Sequence, residues 1–212
     1  QGKAGPDLLA TYEAERRPHV TQITETSTML GKVANEDDPV KVAARNELFL
    51  SGNMPPPPPF PKVETGVIHA EVDGRILEPT GAPTPQGLVR ANGREGLMDE
   101  VVGRGFMIVS RADPSDYLDP ETYSFFEAIG GRCVVVGEVD AGPDRVADLD
   151  GVQLEFMDQH GFAAYLRRPD FLMYGAVSDL ADLPALLRGL RDKLHWQYQS
   201  VPVARSAMEA MA

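Results

Sequence analysis

A single cysteine in 212 residues excludes an internal disulfide, and with it any fold held together by stapled loops. That residue, Cys133, lies in RCVVVGEV, which reads as a buried strand. No His, Lys or second Cys stands near it in sequence to lower its pKa, so a structural thiol is expected. Long apolar runs are missing too. No stretch reaches the roughly 18 residues that a membrane-spanning helix needs, and the first residues have neither the basic start nor the apolar core of a signal peptide. The lone cysteine fits a reducing cytoplasm, which is the expected location. Positive charge is scarce: 20 Lys and Arg stand against 32 Asp and Glu, for a net charge of -12. Such a balance repels phosphate backbones and anionic lipid surfaces, so neither nucleic acid nor membrane is an expected partner.

The familiar catalytic signatures are absent as well. No G-x-G-x-x-G follows a strand and opens a helix, and no P-loop occurs. VVGRGF precedes a strand, so its glycines read as turn residues. His19, His69, His160 and His195 are scattered without metal-ligand spacing, and no zinc site is expected. There is no G-x-S-x-G elbow. The acids of Glu36 to Asp38 read as a helix cap. Asp148 and Asp150, in ADLDG, read as a turn and an N-cap rather than as paired acid-base carboxylates. No catalytic, cofactor-binding or metal-binding residue is therefore named, and the chain is not expected to be a self-contained catalyst.

What is present begins with a helix. The chain opens on Gln1 rather than Met, and from Asp7 the positions Leu9, Tyr12, Val20, Ile23 and Leu30 recur at helical spacing, with Arg16 and Ser27 on the same face. A helix that begins so abruptly reads as the continuation of something upstream. Pro18 removes a backbone donor and its ring crowds the carbonyl of Ala14, so a kink is expected there. Glu13 and Arg17 are spaced to pair on the exposed side. Arg16 is expected to meet a carboxylate or carbonyl of another element, against the alternative of a solvated arginine pair. A second helix is expected over Pro39–Leu50, with Asp38 as N-cap and Pro39 in the first turn. SGNMPPPPPFPKV then reads as a stiff extended spacer.

Beyond the prolines the texture changes to short apolar runs. Strands are expected at residues 106–110, in RCVVVGEV (buried on both faces), in FAAYLRR and in FLMYGAV, the last two joined as an antiparallel hairpin through Pro169 and Asp170. Helices are expected in DPETYSFFEAIGG, in DLDGVQLEFMDQHG from about Asp150 to Gly161, and in SDLADLPALLRGLRDKL. The order strand, helix, strand, helix, hairpin, helix implies an α/β fold: a mixed sheet with helices on its faces. The expected organisation is a helical segment (1–50), a Pro-rich linker (51–65), a sheet domain (66–200) and a loose tail (201–212).

That element order resembles a thioredoxin-like domain, although with one cysteine the C-x-x-C of a redox thioredoxin is missing and disulfide chemistry is excluded. GPDLLATYEAERRPHV is similar to a segment of class A FAD-dependent aromatic hydroxylases, in which a long helix carries Leu-Leu-x-x-Tyr-x-x-Glu-Arg-Arg-Pro. Leu8, Leu9, Tyr12, Glu15, Arg16, Arg17 and Pro18 fill that pattern. PTPQGLVRANGREGLMDEVVGRGFMIVS and DLDGVQLEFMDQHGFAAYLRRPDFLMYG resemble the C-terminal thioredoxin-like domain of the phenol and 3-(3-hydroxyphenyl)propionate hydroxylase branch. The likeness implies a parent monooxygenase that uses NAD(P)H and FAD to hydroxylate a phenolic ring, the flavin carrying the difficult chemistry. It also implies that the FAD-binding domain is a missing partner and that no cofactor is held by this piece. Tyr12, Arg16 and Arg17 become candidate packing residues against that domain, and the sheet domain a candidate cover or homo-oligomer contact. The competing reading is a free-standing, non-catalytic binding or dimerisation module. If the helix once packed on a flavin domain, the isolated piece should bury Leu9, Tyr12 and Ile23 in a self-association or hold that helix poorly ordered, and a monomer in solution with the helix ordered and this face in water would count against that reading.

Overall fold

The computed structural model describes residues 4–53, 56, 60–137, 142 and 144–196. The expectations for the proline run, Pro56 apart, and for the tail at 201–212 lie outside them. Helix α1 (Asp7–Ala34) starts where the periodicity places it and continues through Pro18. It ends at Asn35, whose backbone N–H and side-chain Nδ2 both donate to the carbonyl of Gly31, at 2.9 and 2.8 Å. Helix α2 (Pro39–Leu50) is capped as expected: Asp38 Oδ1 accepts from the Val40 N–H at 2.9 Å. Arg45 Nη1 donates to Val33 O at 2.8 Å and ties α2 back to the end of α1. No residue of α2 is buried.

The sheet domain holds, among the described residues, seven strands in the order β2-β1-β5-β4-β3-β6-β7. β1 (Leu88–Ala91) and β2 (Arg94–Leu97) form a hairpin that the sequence reading did not include. Its two-residue turn, Asn92 and Gly93, has φ of 51° and 70°, the left-handed pair that matches the twist of the flanking strands. α3 (Met98–Val101) follows. β3 (Met107–Ser110) pairs in parallel with β4 (Arg132–Gly137), the two joined by α4 (Pro120–Ala128). Asp119 caps α4, its Oδ1 accepting from Thr122 N–H at 2.9 Å. β5 (Arg145–Asp148), also absent from the sequence reading, extends the parallel set beside β4. α5 (Val152–His160) stops at Gly161, which has φ of 67°. β6 (Ala164–Arg167) and β7 (Met173–Val177) form the expected antiparallel hairpin, with β6 antiparallel to β3 as well. α6 (Leu183–Lys193) closes the domain. The expected mixed sheet with flanking helices is therefore present.

Alternation along the strands builds one core on each face. Ile108 and Leu166 point to the side covered by α4 and α6, where Phe125, Phe126, Leu183, Leu186, Leu187 and Leu190 meet them. Each buried leucine contributes about 1.5–3 kcal/mol of transfer free energy. Met107, Val109, Val134, Val136 and Tyr165 point to the opposite side, against Met98 and Met157 of α3 and α5. The expectation that β4 is buried on both faces is corrected here. Val134 and Val136 are buried, whereas Cys133 and Val135 are half-buried because their face opens into a cleft beside α4.

Candidate functional site

Helix α1 meets the sheet domain through polar groups. Its buried residues are Glu15 and His19, at 5% and 7% exposure, while Leu9 and Tyr12 stand 79% and 68% exposed. Glu15, His19 and the half-buried Ile23 recur every four residues and form the inward face. Of the apolar stripe seen in the sequence only Ile23 reaches that face; Leu9, Tyr12, Val20 and Leu30 lie beside it around the helix and are exposed. The periodicity was real, but the side that packs is the polar one.

Two interactions make this junction. Pro18 has no N–H, so the carbonyl of Ala14 lacks its helical partner. That carbonyl instead accepts from Thr65 Oγ1 at 3.2 Å. One residue on, Glu15 reaches into the domain: Oε1 accepts from the Val67 N–H at 2.6 Å and Oε2 from Arg168 Nη2 at 2.7 Å. Arg168, in the β6–β7 turn, also donates from Nη1 to Val67 O at 2.7 Å and from Nε and Nη2 to the two oxygens of Asp170, at 3.1 and 2.9 Å. The side chains of Glu15 and Arg168 are 6% and 11% exposed, so this is a buried ion pair with its lone pairs and protons satisfied. Burial by itself would lower the Arg168 pKa; the hydrogen bond from Glu15 and the charges of Asp170 and Glu15 outweigh it and hold the group above its ordinary value. Gly66 makes the close approach feasible. Its φ is +85°, and a Cβ there would land on the Glu15 side chain.

Tyr12, Arg16 and Arg17, the candidate packing residues, are not drawn into this cluster. Tyr12 is open, and Arg17 pairs with Glu13 at 3.4 Å in solvent, as its spacing suggests. The carboxylate or carbonyl expected for Arg16 is not what it meets: its Nη1 lies 3.4 Å from His19 Nδ1 of the same helix. The long-range contact belongs to Glu15, one residue earlier, because the residue after it has already turned off the inward face. Glu15 and Arg168 are 153 positions apart and were not singled out as a pair. The only trace of the pairing in the sequence is two arginines ending an apolar strand, an unusual place for a charge without a partner.

The other chemistry-bearing residues are accounted for structurally. Cys133 lines a cleft of about 330 Å³ with Asp113, Tyr123, Glu127, Asp144 and Arg145. Burial pushes its thiol up to about 11, and Asp113 and Asp144 push the same way. Such a thiol is protonated and inert near neutrality. Arg132 and Arg145 pair there with Asp144 and Asp113, at 2.6 and 3.4 Å. Asp148 and Asp150 both hold backbone, but the N-cap expected at Asp150 is corrected: the cap position of α5 is Gly151, Asp148 Oδ2 accepts from Leu154 N–H in the first turn of α5 at 2.9 Å, and Asp150 Oδ2 accepts from Leu88 N–H at the start of β1 at 2.8 Å. Among the described residues no group of three or more His, Cys, Asp or Glu could hold a metal ion, and no helix is long and apolar enough to cross a membrane.

Residues 81–193 match the family described as the HcaD C-terminal domain, a span that runs from just before β1 to the end of α6. The chain belongs to that family. The seven strands found among the described residues all fall within the span, and α1 and α2 lie outside it. The Glu15–Arg168 pair thus crosses the edge of the family domain. Over 191 residues the chain is 31% identical to the probable NADH-specific resorcinol 4-hydroxylase of Rhodococcus jostii (strain RHA1), covering 87% of this chain and 34% of that protein. It is 28% identical over 196 residues to the 3-(3-hydroxy-phenyl)propionate/3-hydroxycinnamic acid hydroxylase of Mycobacterium sp. (strain JLS), covering 82% and 34%. The chain thus spans about a third of the length of these curated relatives, and it matches their C-terminal part. Among solved structures, the flavin-dependent monooxygenase PieE, in complex with FAD and substrate, superposes with a TM-score of 0.61 at 17% identity, over 91% of this chain and 40% of that one. Aklavinone-11 hydroxylase superposes at 0.52 with 21% identity, over 91% and 36%. At these identities the superpositions establish the fold.

Proposed function

We propose that this chain is the C-terminal region of an FAD- and NAD(P)H-dependent monooxygenase that hydroxylates a phenolic ring. The observation that carries the reading is the 31% identity with the resorcinol hydroxylase across 87% of this chain, confined to 34% of that relative. The residues present here do not fit a flavin dinucleotide. The Gly-rich turn that would cradle its pyrophosphate is lacking. The cleft beside α4 carries Asp113, Glu127 and Asp144, which repel phosphate, and its two guanidinium groups are already engaged. The flavin and most of the substrate pocket belong to the rest of the parent enzyme.

The chain itself serves packing, active-site cover or oligomerisation. Residues 1–50 are the helical tail of the FAD and substrate domain, and the open stripe with Leu9 and Tyr12, flanked by Arg16 and Arg17, docks on that body. Residues 51–65 link it to the sheet domain at 66–200, which covers the body or meets a second copy. The order β4-β3-β6-β7, with β3 and β4 parallel and the β6–β7 hairpin antiparallel to them, supports a thioredoxin-like core. The enzyme works in the cytoplasm. The test is to express the complete coding sequence that contains this chain, then measure bound FAD and NADH or NADPH consumption with and without resorcinol. Bound flavin and a phenol-stimulated rate support the reading; a complete product that binds no FAD refutes it.

A further inference from the structure

A buried ion pair contributes little net stability compared with apolar packing, because desolvation offsets the attraction; what directional bonds supply is a unique geometry. That distinction matters at α1. Its contact with the sheet domain includes one partly buried apolar side chain against the main core, Leu8, and the buried residues of the helix are both polar. Near the start of α1, Gly5 N–H donates to His195 O at 3.2 Å and Ala4 bridges to Trp196, which fixes where the helix begins but not how it is rotated. Apolar contacts this sparse tolerate rotation or sliding by a fraction of a turn. Hydrogen bonds to Glu15 do not, since both of its oxygens are engaged by groups fixed in the sheet domain.

We propose that Glu15, Arg168 and Asp170, with the Ala14 carbonyl freed by Pro18, form a registration joint that sets the rotation and tilt of α1 on the sheet domain. The joint selects one arrangement and is not what holds the sheet domain folded. This rests on the contacts of this chain alone and stands apart from the flavin reading.

The experiment uses the 212-residue chain in a Cys133→Ser background, with spin labels at Ser27→Cys on α1 and Asp116→Cys on the sheet domain. The distance distribution between labels is recorded beside the urea midpoint of the sheet domain. The parent is expected to give one narrow peak. The paired substitution Glu15→Met with Arg168→Met should lose that single peak, which broadens or splits, while the midpoint is retained. Glu15→Gln keeps an acceptor for Val67 N–H and loses the charge facing Arg168, so its broadening should be intermediate. If the paired variant fails to fold, Glu15→Gln decides alone by its distance distribution below the unfolding transition, whatever its midpoint, since a lone Arg168 is itself destabilising: broadening supports the joint. An unchanged peak overturns it.

Discussion

Replacing Gly66 with alanine should be far more damaging than the same change at another left-handed glycine. Gly66 and Gly74 have nearly the same backbone, with φ of +85° and +82°. Each substitution therefore carries a similar conformational cost of about 1 kcal/mol. They differ in surroundings: a Cβ on Gly74 meets nothing within 4 Å, whereas one on Gly66 meets Cγ and Oε1 of Glu15. Glu15 cannot retreat and still accept from both Val67 and Arg168. Separating a buried pair of this kind costs about 3 kcal/mol or more, because Arg168 is left charged without its partner. The expectation is about 4 kcal/mol for Gly66→Ala against about 1 kcal/mol for Gly74→Ala. Urea unfolding followed by far-UV circular dichroism and by the fluorescence of Trp196, which packs edge-on to Phe125 at 5.6 Å, reads both values. In a Glu15→Ala background the cost of Gly66→Ala should fall to about 1 kcal/mol, since the collision is gone. Equal costs at the two glycines, or an undiminished cost without Glu15, would refute the collision argument.

Further outcomes are expected elsewhere. The Cys133 thiol, with its pKa pushed up to about 11, should react with a disulfide reagent at pH 8 about a hundredfold or more slowly than a free cysteine; a rate near that of the free thiol would contradict its burial. The folded state keeps that proton where the unfolded chain has lost it, so this group's contribution to stability should fall as pH rises from the ordinary thiol range toward 11, as alkaline titration of the urea midpoint can check. Asp148 and Asp150 should respond oppositely. Burial raises the Asp148 pKa, so its contribution is present in acid and is lost as pH rises through the folded value. Hydrogen bonds from Leu88 and Val152 lower that of Asp150, so its contribution is present near neutrality and is lost as pH falls. At pH 7, Asp150→Asn should cost about 1 kcal/mol through weakened backbone bonds, and Asp148→Asn less than that, by urea midpoints. Leu9→Ser and Tyr12→Ser should change the melting of the isolated chain little, within about 0.5 kcal/mol, since both side chains are exposed; a large loss would mean that the stripe is already covered.

Where a feature depends on neighbours in sequence, it could be read in advance. Asp38 before Pro39, Gly161 after His160 and the alternation on either side of Pro169 are local signals, and each element lies where they put it. β5 escaped because four residues, Arg145–Asp148, are too few for a period to register. The β1–β2 hairpin did carry a signal, Asn92-Gly93 between short strands, but one of those strands reads REGL, with little β character. The Glu15–Arg168 pair leaves no periodicity at all. A helix face was inferred from its leucines and tyrosine, and the contact was made instead by the polar residues beside them, which only the tertiary structure brings together.

The attachment of α1 is concentrated in its first half, and this has a mechanical consequence. From Glu15 to Ala34 the helix extends roughly 28 Å, and its inward face there has no further buried residue beyond His19. It is a lever with its fulcrum at Glu15. A tilt of about ten degrees at that point carries the far tip, with α2 tied to it through Arg45, by about 5 Å. Displacements too small to disturb the packing of the sheet would thus arrive at α2 as movements of a side chain's length.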